Sequence, residues 1–132
     1  MTARVNGEVS FWYGDIGGTP EYRPALDSDV QCDVAIVGAG YTGLWTAYYL
    51  MKSDPSMRIV ILEKEFAGFG ASGRNGGWLS GEMGWSRERY SEKTGRQSVV
   101  DLQAAMWGAV DEVIDVCARE GIDADIVKGG SL

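Results

Sequence analysis

The sequence contains no histidine. This absence excludes, within the chain, catalysis by Ser-His-Asp or Cys-His groups and any metal site built on imidazole ligands. Carboxylates are present, but their spacing does not predict an acid/base pair. Asp111 and Asp115 lie four residues apart in a predicted helix, with Glu112 beside them, and this pattern is typical of a solvated acidic face. The sequence therefore assigns no catalytic residue and no metal ligand.

Cysteine and basic residues are also scarce. The two cysteines, Cys32 and Cys117, have no metal-like spacing, and we expect small apolar side chains there rather than a disulfide. The chain has 12 basic and 19 acidic residues, a net charge of −7, which argues against nucleic acid or an anionic membrane as a partner. No apolar run approaches the roughly 20 residues that span a bilayer. The N-terminus also lacks the apolar stretch of a secretion signal, so we expect a cytoplasmic protein.

What the sequence does contain is a dinucleotide-binding pattern between Cys32 and Glu63. An apolar run, Val34–Val37, leads directly into the glycine loop Gly38–Gly43, which reads GAGYTG and matches GxGxxG. A helix-like stretch and a second apolar run, Ile59–Leu62, follow, and Glu63 lies 20 residues after the last glycine of the loop. A simple turn between a strand and a helix would explain one glycine, but not three at this spacing. The pattern predicts a βαβ unit that binds a dinucleotide.

Each part of this pattern has a physical role. Gly38 permits the tight turn out of the strand, Gly40 lets the backbone approach a pyrophosphate, and Gly43 lets the helix pack closely on the sheet. The N-terminus of the helix offers free N–H groups and a partial positive charge to the phosphates. Glu63, at the end of the second strand, can accept hydrogen bonds from ribose hydroxyls and would repel a 2′-phosphate.

The rest of the chain is predicted to form one domain behind an N-terminal arm. The chain has 132 residues, of which 45% are hydrophobic, and this suits a single globular domain with a core. Residues 1–30 contain two of the chain's three prolines and several glycines, so they are predicted to form an irregular arm. We expect burial of Phe11, Trp12 and Tyr13 to anchor this arm. Residues 31–132 are predicted to form the nucleotide-binding domain.

The predicted fold class is α/β, with a Rossmann-like FAD/NAD(P)-binding βαβ unit that is incomplete. We expect strands at 33–37 and 58–63 to be parallel and adjacent, within a three-layer arrangement. A right-handed crossover through a helix over 42–53 is expected to join them. Asp54-Pro55 ends that helix, because proline cannot continue its hydrogen bonds.

Residues 66–86 form a second glycine-rich region. Its sequence fits neither the period of a helix nor that of a strand. A glycine density this high inside a compact domain indicates close approach of the backbone to a ligand. The region is therefore a second candidate for the binding site.

The longest helical signal follows, over residues 96–120. Thr94 and Gln97 are predicted to form a capping box at its start, and Gly121 is placed to end it. Residues 125–128 are predicted to form a short strand. The helix face that we expect to pack in the core consists of Val99, Leu102, Met106, Val110 and Val113.

Two stretches give the chain a resemblance to a known family. Gly38–Leu50 reads GAGYTGLWTAYYL, and Phe69–Gly77 reads FGASGRNGG. Together they resemble the N-terminal part of the FAD-dependent D-amino-acid-oxidase-like (DAO) superfamily, and most of all its gamma-glutamylputrescine oxidase-like branch. The aromatic residues and Pro24-Ala25-Leu26 of the arm are also similar to that branch. The resemblance spans essentially the whole chain, and the ASGRNGG element is its most specific part.

The resemblance implies FAD as the cofactor and enlarges the candidate site. It places Glu63 at the adenosine ribose and Lys64 near the adenine end. Ser72 becomes a candidate hydroxyl for a phosphate. Arg74 could counter phosphate charge or negative charge on reduced flavin, or it could be a structural loop arginine. The implied cofactor-binding residues are Gly38, Gly40, Tyr41, Thr42, Gly43, Glu63, Lys64, Gly70, Ala71, Ser72, Arg74, Asn75, Gly76 and Gly77.

The resemblance also implies a reaction. Members of this superfamily oxidise an amine or amino acid to an imine, with hydride passing to the flavin and then to oxygen as hydrogen peroxide. Some relatives link the flavin covalently through a histidine in this region. Because this chain has no histidine, the resemblance implies non-covalent FAD.

Family members are much longer than 132 residues and carry a substrate domain that this chain lacks. We therefore expect an N-terminal portion of an oxidase, inactive alone, that works with its remaining portion in cis or as a second chain. The βαβ unit by itself also fits an NAD-binding dehydrogenase fragment or a non-catalytic nucleotide-binding or partner-docking protein. The glycine-rich region at 66–81 argues against NAD, because an NAD-binding unit has no need of it there. The substrate stays unassigned.

Overall fold

The computed structural model describes residues 9–84 and 86–130. They fall into two compact units, and the boundary lies between Gly76 and Gly77. Each unit is described by itself below. The predicted boundary at residue 30, between an arm and a single domain, stays a prediction.

A two-stranded parallel sheet forms the centre of the first unit. Strand β1 is Val34–Val37 and strand β2 is Ile59–Leu62. They pair in register from Val34 opposite Ile59 to Val37 opposite Leu62, as the two apolar runs predict. The prediction of parallel, adjacent strands is confirmed, while the three-layer arrangement and the hand of the crossover stay predictions.

Helix α2, Tyr41–Ser53, joins the two strands. Asp54 follows in an extended conformation, and the Asp54 carboxylate accepts hydrogen bonds from the backbone N–H and hydroxyl of Ser56. Gly43 and Ala47 are buried on the side that faces the sheet. These two small residues lie one turn apart, which brings the helix backbone close to the strands. The predicted helix over 42–53 is confirmed.

The N-terminal arm differs from its prediction in two respects. It contains a short helix, α1, Phe11–Asp15, rather than irregular backbone throughout. Tyr13 is buried, but Phe11 is 61% and Trp12 46% exposed. The expectation that all three aromatics are buried is therefore wrong for two of them, because a helix directs only one of three consecutive side chains toward the body of the unit.

The second unit contains helix α3, Arg87–Thr94, which the sequence did not predict. Its sequence, RERYSEKT, is polar on all sides, so it carries no apolar period. Ser86 caps its N-terminus by accepting a hydrogen bond from the Arg89 backbone N–H. The predicted capping box of Thr94 and Gln97 is wrong, because Thr94 belongs to the last turn of α3 and its hydroxyl donates to the Tyr90 carbonyl.

Helix α4, Arg96–Glu120, confirms the longest predicted helix. Gly121 ends it with φ +66°, a left-handed conformation that glycine adopts without strain. The buried residues on the helix are Val99, Gln103 and Val116. The predicted packing face is therefore wrong at Leu102, which is exposed. A buried glutamine, whose amide bonds to the Gly81 carbonyl, takes part in the packing instead.

Residues 125–128 are not a strand. Asp125 has φ +45°, which interrupts extended backbone, and no neighbouring strand in the second unit is described that could pair with this segment. Within residues 9–84 and 86–130, no helix has the combination of length and apolar composition that crossing a membrane requires.

Candidate functional site

The first glycine loop, Gly38–Gly43, connects β1 to α2 and requires glycine at two positions, Gly38 for its backbone conformation and Gly43 for close packing. Gly38 has φ +99°, a conformation that other residues rarely adopt. A Cβ atom on Gly43 would lie 2.1 Å from the Gly38 carbonyl oxygen and 3.3 Å from Cγ2 of Ile36. The loop therefore closes on itself and sets the start of α2 directly above the end of β1.

The N-terminus of α2 is open for an anion. Its N-cap is Gly40, which supplies no capping side chain, and its first turn contains no acidic residue. The helix dipole and the first N–H groups, including those of Tyr41 and Thr42, are therefore not compensated by a carboxylate of the helix itself. A helix start of this kind favours a phosphate group.

Ser72 approaches this helix start from the second glycine-rich region. Its hydroxyl oxygen accepts a hydrogen bond of 3.0 Å from the Tyr41 backbone N–H. A Cβ atom on Gly40 would lie 3.0 Å from the same oxygen. The absence of a side chain at Gly40 thus provides the space in which the Ser72 hydroxyl reaches the helix.

Glu63 lies beside the first glycine loop. One carboxylate oxygen accepts a hydrogen bond of 2.8 Å from the Ala39 backbone N–H, and the other accepts one of 3.1 Å from that of Glu65. These hydrogen bonds, that of Ala39 above all, lower the pKa of Glu63 below its ordinary value. The carboxylate therefore stays charged and holds the loop to the end of β2. Lys64, next in sequence, is exposed and lies 3.8 Å from the Glu65 carboxylate.

Ala39 joins the two glycine-rich regions. It is buried, and its carbonyl accepts a hydrogen bond of 2.9 Å from the Gly68 backbone N–H. Sequence reasoning did not select Ala39 or Gly68 as site residues. The contact uses main-chain atoms only, so side-chain identity gives no signal for it.

The second region contains its own loop with the geometry of the first. Gly68–Gly73 reads GFGASG, which again matches GxGxxG. Gly68 has φ +83°, and a Cβ atom on Gly73 would lie 2.2 Å from the Gly68 carbonyl oxygen. The spacing was present in the sequence and could have revealed this second loop. A single 3₁₀ turn, Ala71–Gly73, with Gly70 before it, replaces the long helix that follows the first loop.

Arg74 and Asn75 stabilise the second loop from within. The Arg74 side chain donates a hydrogen bond of 2.6 Å from Nε to the Phe69 carbonyl, and its guanidinium lies 4.4 Å from the centre of the Phe69 ring. The Asn75 amide donates to the carbonyls of Ala71 and Ser72. These contacts support a structural role for Arg74 in the loop, rather than a role in countering phosphate or flavin charge.

In the first unit, the two glycine loops are thus joined at the N-terminus of α2 through the Ala39 carbonyl and the Ser72 hydroxyl, and Glu63 lies beside the first loop. Gly76 ends this unit, and Gly77 belongs to the second one. The assignment of Gly77 to the cofactor site therefore stays a prediction. The roles of all these residues in binding a cofactor also stay predictions.

These residues fit a dinucleotide cofactor. Gly40 offers a surface that a Cβ atom would fill, the N-terminus of α2 favours a phosphate, and Glu63 provides hydrogen-bond acceptors beside it. The chemistry of this donor and acceptor set is that of a pyrophosphate and a ribose.

Known proteins that are similar in sequence to this chain include two oxidoreductases. Gamma-glutamylputrescine oxidoreductase of Escherichia coli (strain K12) is 34% identical over 112 residues, which cover 83% of this chain and 26% of that protein. A probable oxidoreductase, OrdL, of Haemophilus influenzae is 31% identical over 121 residues, 92% of this chain and 28% of its own length. A thiamine thiazole synthase of Sclerotinia sclerotiorum is 42% identical over 65 residues, 49% of this chain and 18% of the synthase.

The chain spans about a quarter of the length of the first two of these relatives. No solved structure matches it. The sequence model of the DAO family, described as FAD dependent oxidoreductase, matches residues 33–132, which include both glycine loops and most of the chain. The chain therefore belongs to the DAO family of FAD-dependent oxidoreductases.

Proposed function

We propose that this chain is the FAD-binding portion of an oxidoreductase that oxidises an amine or an amino acid. The observation that carries the proposal is the junction of two glycine loops at the N-terminus of α2, with Glu63 beside them. Family membership supports FAD as the cofactor. The name of the Escherichia coli relative, which acts on a putrescine derivative, supports an amine as the substrate.

The residues of the first unit have distinct roles in this proposal. The first N–H groups of α2 bind the pyrophosphate, and Gly40 allows it to approach the backbone. The Ser72 hydroxyl, which accepts a hydrogen bond from Tyr41, can also donate its proton to a phosphate oxygen.

Glu63 can bind a ribose while it holds the loop. Its carboxylate accepts backbone N–H bonds from Ala39 and Glu65, with a contribution from the Lys64 N–H, and a carboxylate has about four acceptor positions. Acceptor positions for ribose hydroxyl groups therefore remain on the carboxylate. Because the lowered pKa keeps Glu63 charged, it also disfavours a 2′-phosphate.

When bound, the flavin would accept a hydride from the substrate carbon and pass both electrons to oxygen, so that an amine and O₂ give an imine and H₂O₂. We propose non-covalent attachment, because the chain contains no histidine to which a flavin could be linked. The remaining portion of the oxidase, in cis or as a second chain, would supply the substrate site. We further propose a cytoplasmic location.

Two substitutions test the cofactor site, with flavin content per protein, measured by absorbance in the intact oxidase, as the readout. Gly40→Val adds a branched side chain whose Cβ atom alone would lie 3.0 Å from Ser72 Oγ, so we expect loss of bound FAD. Glu63→Ala removes hydrogen bonds to a charged group, and we expect FAD binding to weaken by about 1.5–3 kcal/mol.

Gly84→Val is the matched control. A Cβ atom on Gly84 meets nothing within 4 Å, and its φ is not positive, so the added side chain has space. We expect wild-type flavin content for this variant. Unchanged flavin content in both Gly40→Val and Glu63→Ala would contradict the assignment of the site.

A further inference from the structure

The N-terminal arm is hydrogen-bonded to the second glycine loop and to the segment just after it. The buried Ser10 hydroxyl donates a bond of 2.8 Å to the Gly73 carbonyl, and the Trp12 indole N–H donates one of 2.7 Å to the Asn75 carbonyl. Each bond joins residues 63 positions apart. Both donors reach loop carbonyls at and just after the 3₁₀ turn.

Tyr13, the residue after Trp12, packs directly on two glycines of the loop. Its hydroxyl oxygen would lie 2.6 Å from a Cβ atom on Gly73 and 3.1 Å from one on Gly68. Its ring packs edge-to-face on Phe66 at 5.1 Å between centroids. The buried tyrosine thus fills the space that the two glycines leave open. We call Ser10–Tyr13 the N-terminal strap.

Two further hydrogen bonds join the second glycine loop to the first loop and to the start of α2. There the loop is held by the Gly68–Ala39 backbone bond and by the bond from the Tyr41 N–H to Ser72 Oγ. The Tyr41 N–H belongs to the first turn of α2, where an anion is favoured. A phosphate bound there would lie next to the Ser72 hydroxyl, which can donate its proton to a phosphate oxygen while it accepts the hydrogen bond from Tyr41.

We propose that the N-terminal strap positions the second glycine loop for the cofactor, with Ser10 and Trp12 as positioning residues. The strap bonds to the carbonyls of Gly73 and Asn75 and not to the start of α2, so it fixes the loop that carries Ser72 without occupying the N–H groups proposed for the phosphate. This inference rests on the proposed FAD site. It adds that FAD affinity depends on residues of the arm that are separated from the nucleotide motif by more than twenty residues of sequence.

The test uses the full chain with Ser10→Ala and Trp12→Phe, each of which removes one donor. Dissociation constants for FAD and for AMP are measured by equilibrium dialysis. We expect FAD binding to weaken about three- to tenfold in each variant, the usual worth of one hydrogen bond. AMP binding should weaken less than FAD binding, because AMP keeps the contacts of Glu63 and the first loop and uses the second loop only through Ser72. Trp78→Phe, at an 89% exposed tryptophan, is the matched control and should bind both ligands as wild type does.

Hydrogen exchange of the ligand-free chain gives a second readout that does not depend on FAD. We expect faster amide exchange over residues 69–76 in both strap variants, and unchanged exchange in α2 and in the control. Unchanged exchange over 69–76, unchanged FAD affinity, or equal loss of FAD and AMP affinity would each overturn the proposal. If the wild-type chain bound neither ligand, the proposed FAD site would fail, and the exchange data alone would decide whether the strap positions the loop.

Discussion

Gly43 and Gly73 are the last glycines of the two loops, and both lie against the carbonyl oxygen of the first glycine of their own loop. The distance from an added Cβ to that oxygen would be 2.1 Å at Gly43 and 2.2 Å at Gly73. Neither carbonyl can move far, because the backbone on both sides of it is hydrogen-bonded. At these residues glycine is required for close packing of one backbone segment on another.

Gly43→Ala is expected to destabilise the protein, although alanine is the better helix former. The methyl group would overlap a backbone atom, and overpacking of this kind costs about 1–3 kcal/mol. Gly108→Ala, in the interior of α4, is the matched control, because a Cβ atom there meets nothing within 4 Å. We expect it to stabilise the protein by about 0.5–1 kcal/mol. Urea denaturation measures both, and a stabilising Gly43→Ala would contradict the loop geometry.

The residues of the site were predictable to different degrees. Gly38, Gly40 and Glu63 follow from their spacing, because a strand, a loop and a helix repeat the same local geometry wherever the pattern occurs. The hydrogen bond between Trp12 and the Asn75 carbonyl was not predictable, since it joins residues 63 positions apart and uses a main-chain acceptor. Arg74 was ambiguous in sequence, and its contacts to Phe69 became visible only in the structure.

At the scale of elements, one ion pair joins the beginnings of the two strands. Arg58 precedes β2 and donates to the Asp33 carboxylate through its backbone N–H at 2.8 Å and its guanidinium at 3.0 and 3.1 Å. The backbone N–H groups of Asp33 and Val34 in turn donate to the Arg58 carbonyl. The Arg58 side chain above all lowers the pKa of Asp33 from 3.8 to about 2.

This pair predicts a pH-dependent contribution of Asp33 to stability. Because the pKa is lower in the folded chain, the contribution is complete above about pH 4 and is lost as the pH falls from about 4 to about 2. Asp33→Asn should therefore lower the thermal midpoint at pH 7, and its difference from wild type should shrink over that range. Asp123→Asn, at an exposed acid in the second unit, is the control. A difference that stays constant from pH 7 to pH 2 would contradict the prediction.

The elements that sequence predicted are those with a clear apolar period or a specific end signal. Both strands, α2 and α4 have such signals, and Gly121 marks the end of α4 as expected. Helix α3 has none, because it is polar on all sides. A single residue, Gly95 with φ +83°, separates α3 from α4, so the predicted helix over 96–120 has the bounds of α4 although α3 before it was missed. Residues 125–128 have the composition of a strand but no described partner strand in their unit.

At the scale of the whole molecule, the described residues bury little apolar surface. The buried hydrophobic residues are Tyr13, Ala39, Ala47, Phe66, Val99 and Val116. Val37, at the end of β1, is 86% exposed. Within the second unit, a groove of about 610 Å³ lies along α4 and is lined in part by Trp107, Ile114 and Ile126. Exposed apolar surface of this extent fits the proposal that a further portion of an oxidase covers it.

We therefore predict that the 132-residue chain alone has no oxidase turnover and binds FAD more weakly than the intact oxidase does. The proposed site would supply contacts for a pyrophosphate and a ribose only, whereas ligand sites normally bury 70–90% of their ligand. The chain also spans only about a quarter of its first two relatives' length, and we propose that the remaining portion of an oxidase supplies most of the surface that encloses the flavin ring. The measurements are hydrogen peroxide release with a panel of amines and amino acids, and FAD titration, each compared with the intact oxidase. Free FAD without protein is the control for peroxide formed by the flavin itself. Sustained, amine-dependent peroxide release by the isolated chain would show that it holds a substrate site of its own, and the proposal that another portion supplies that site would be wrong.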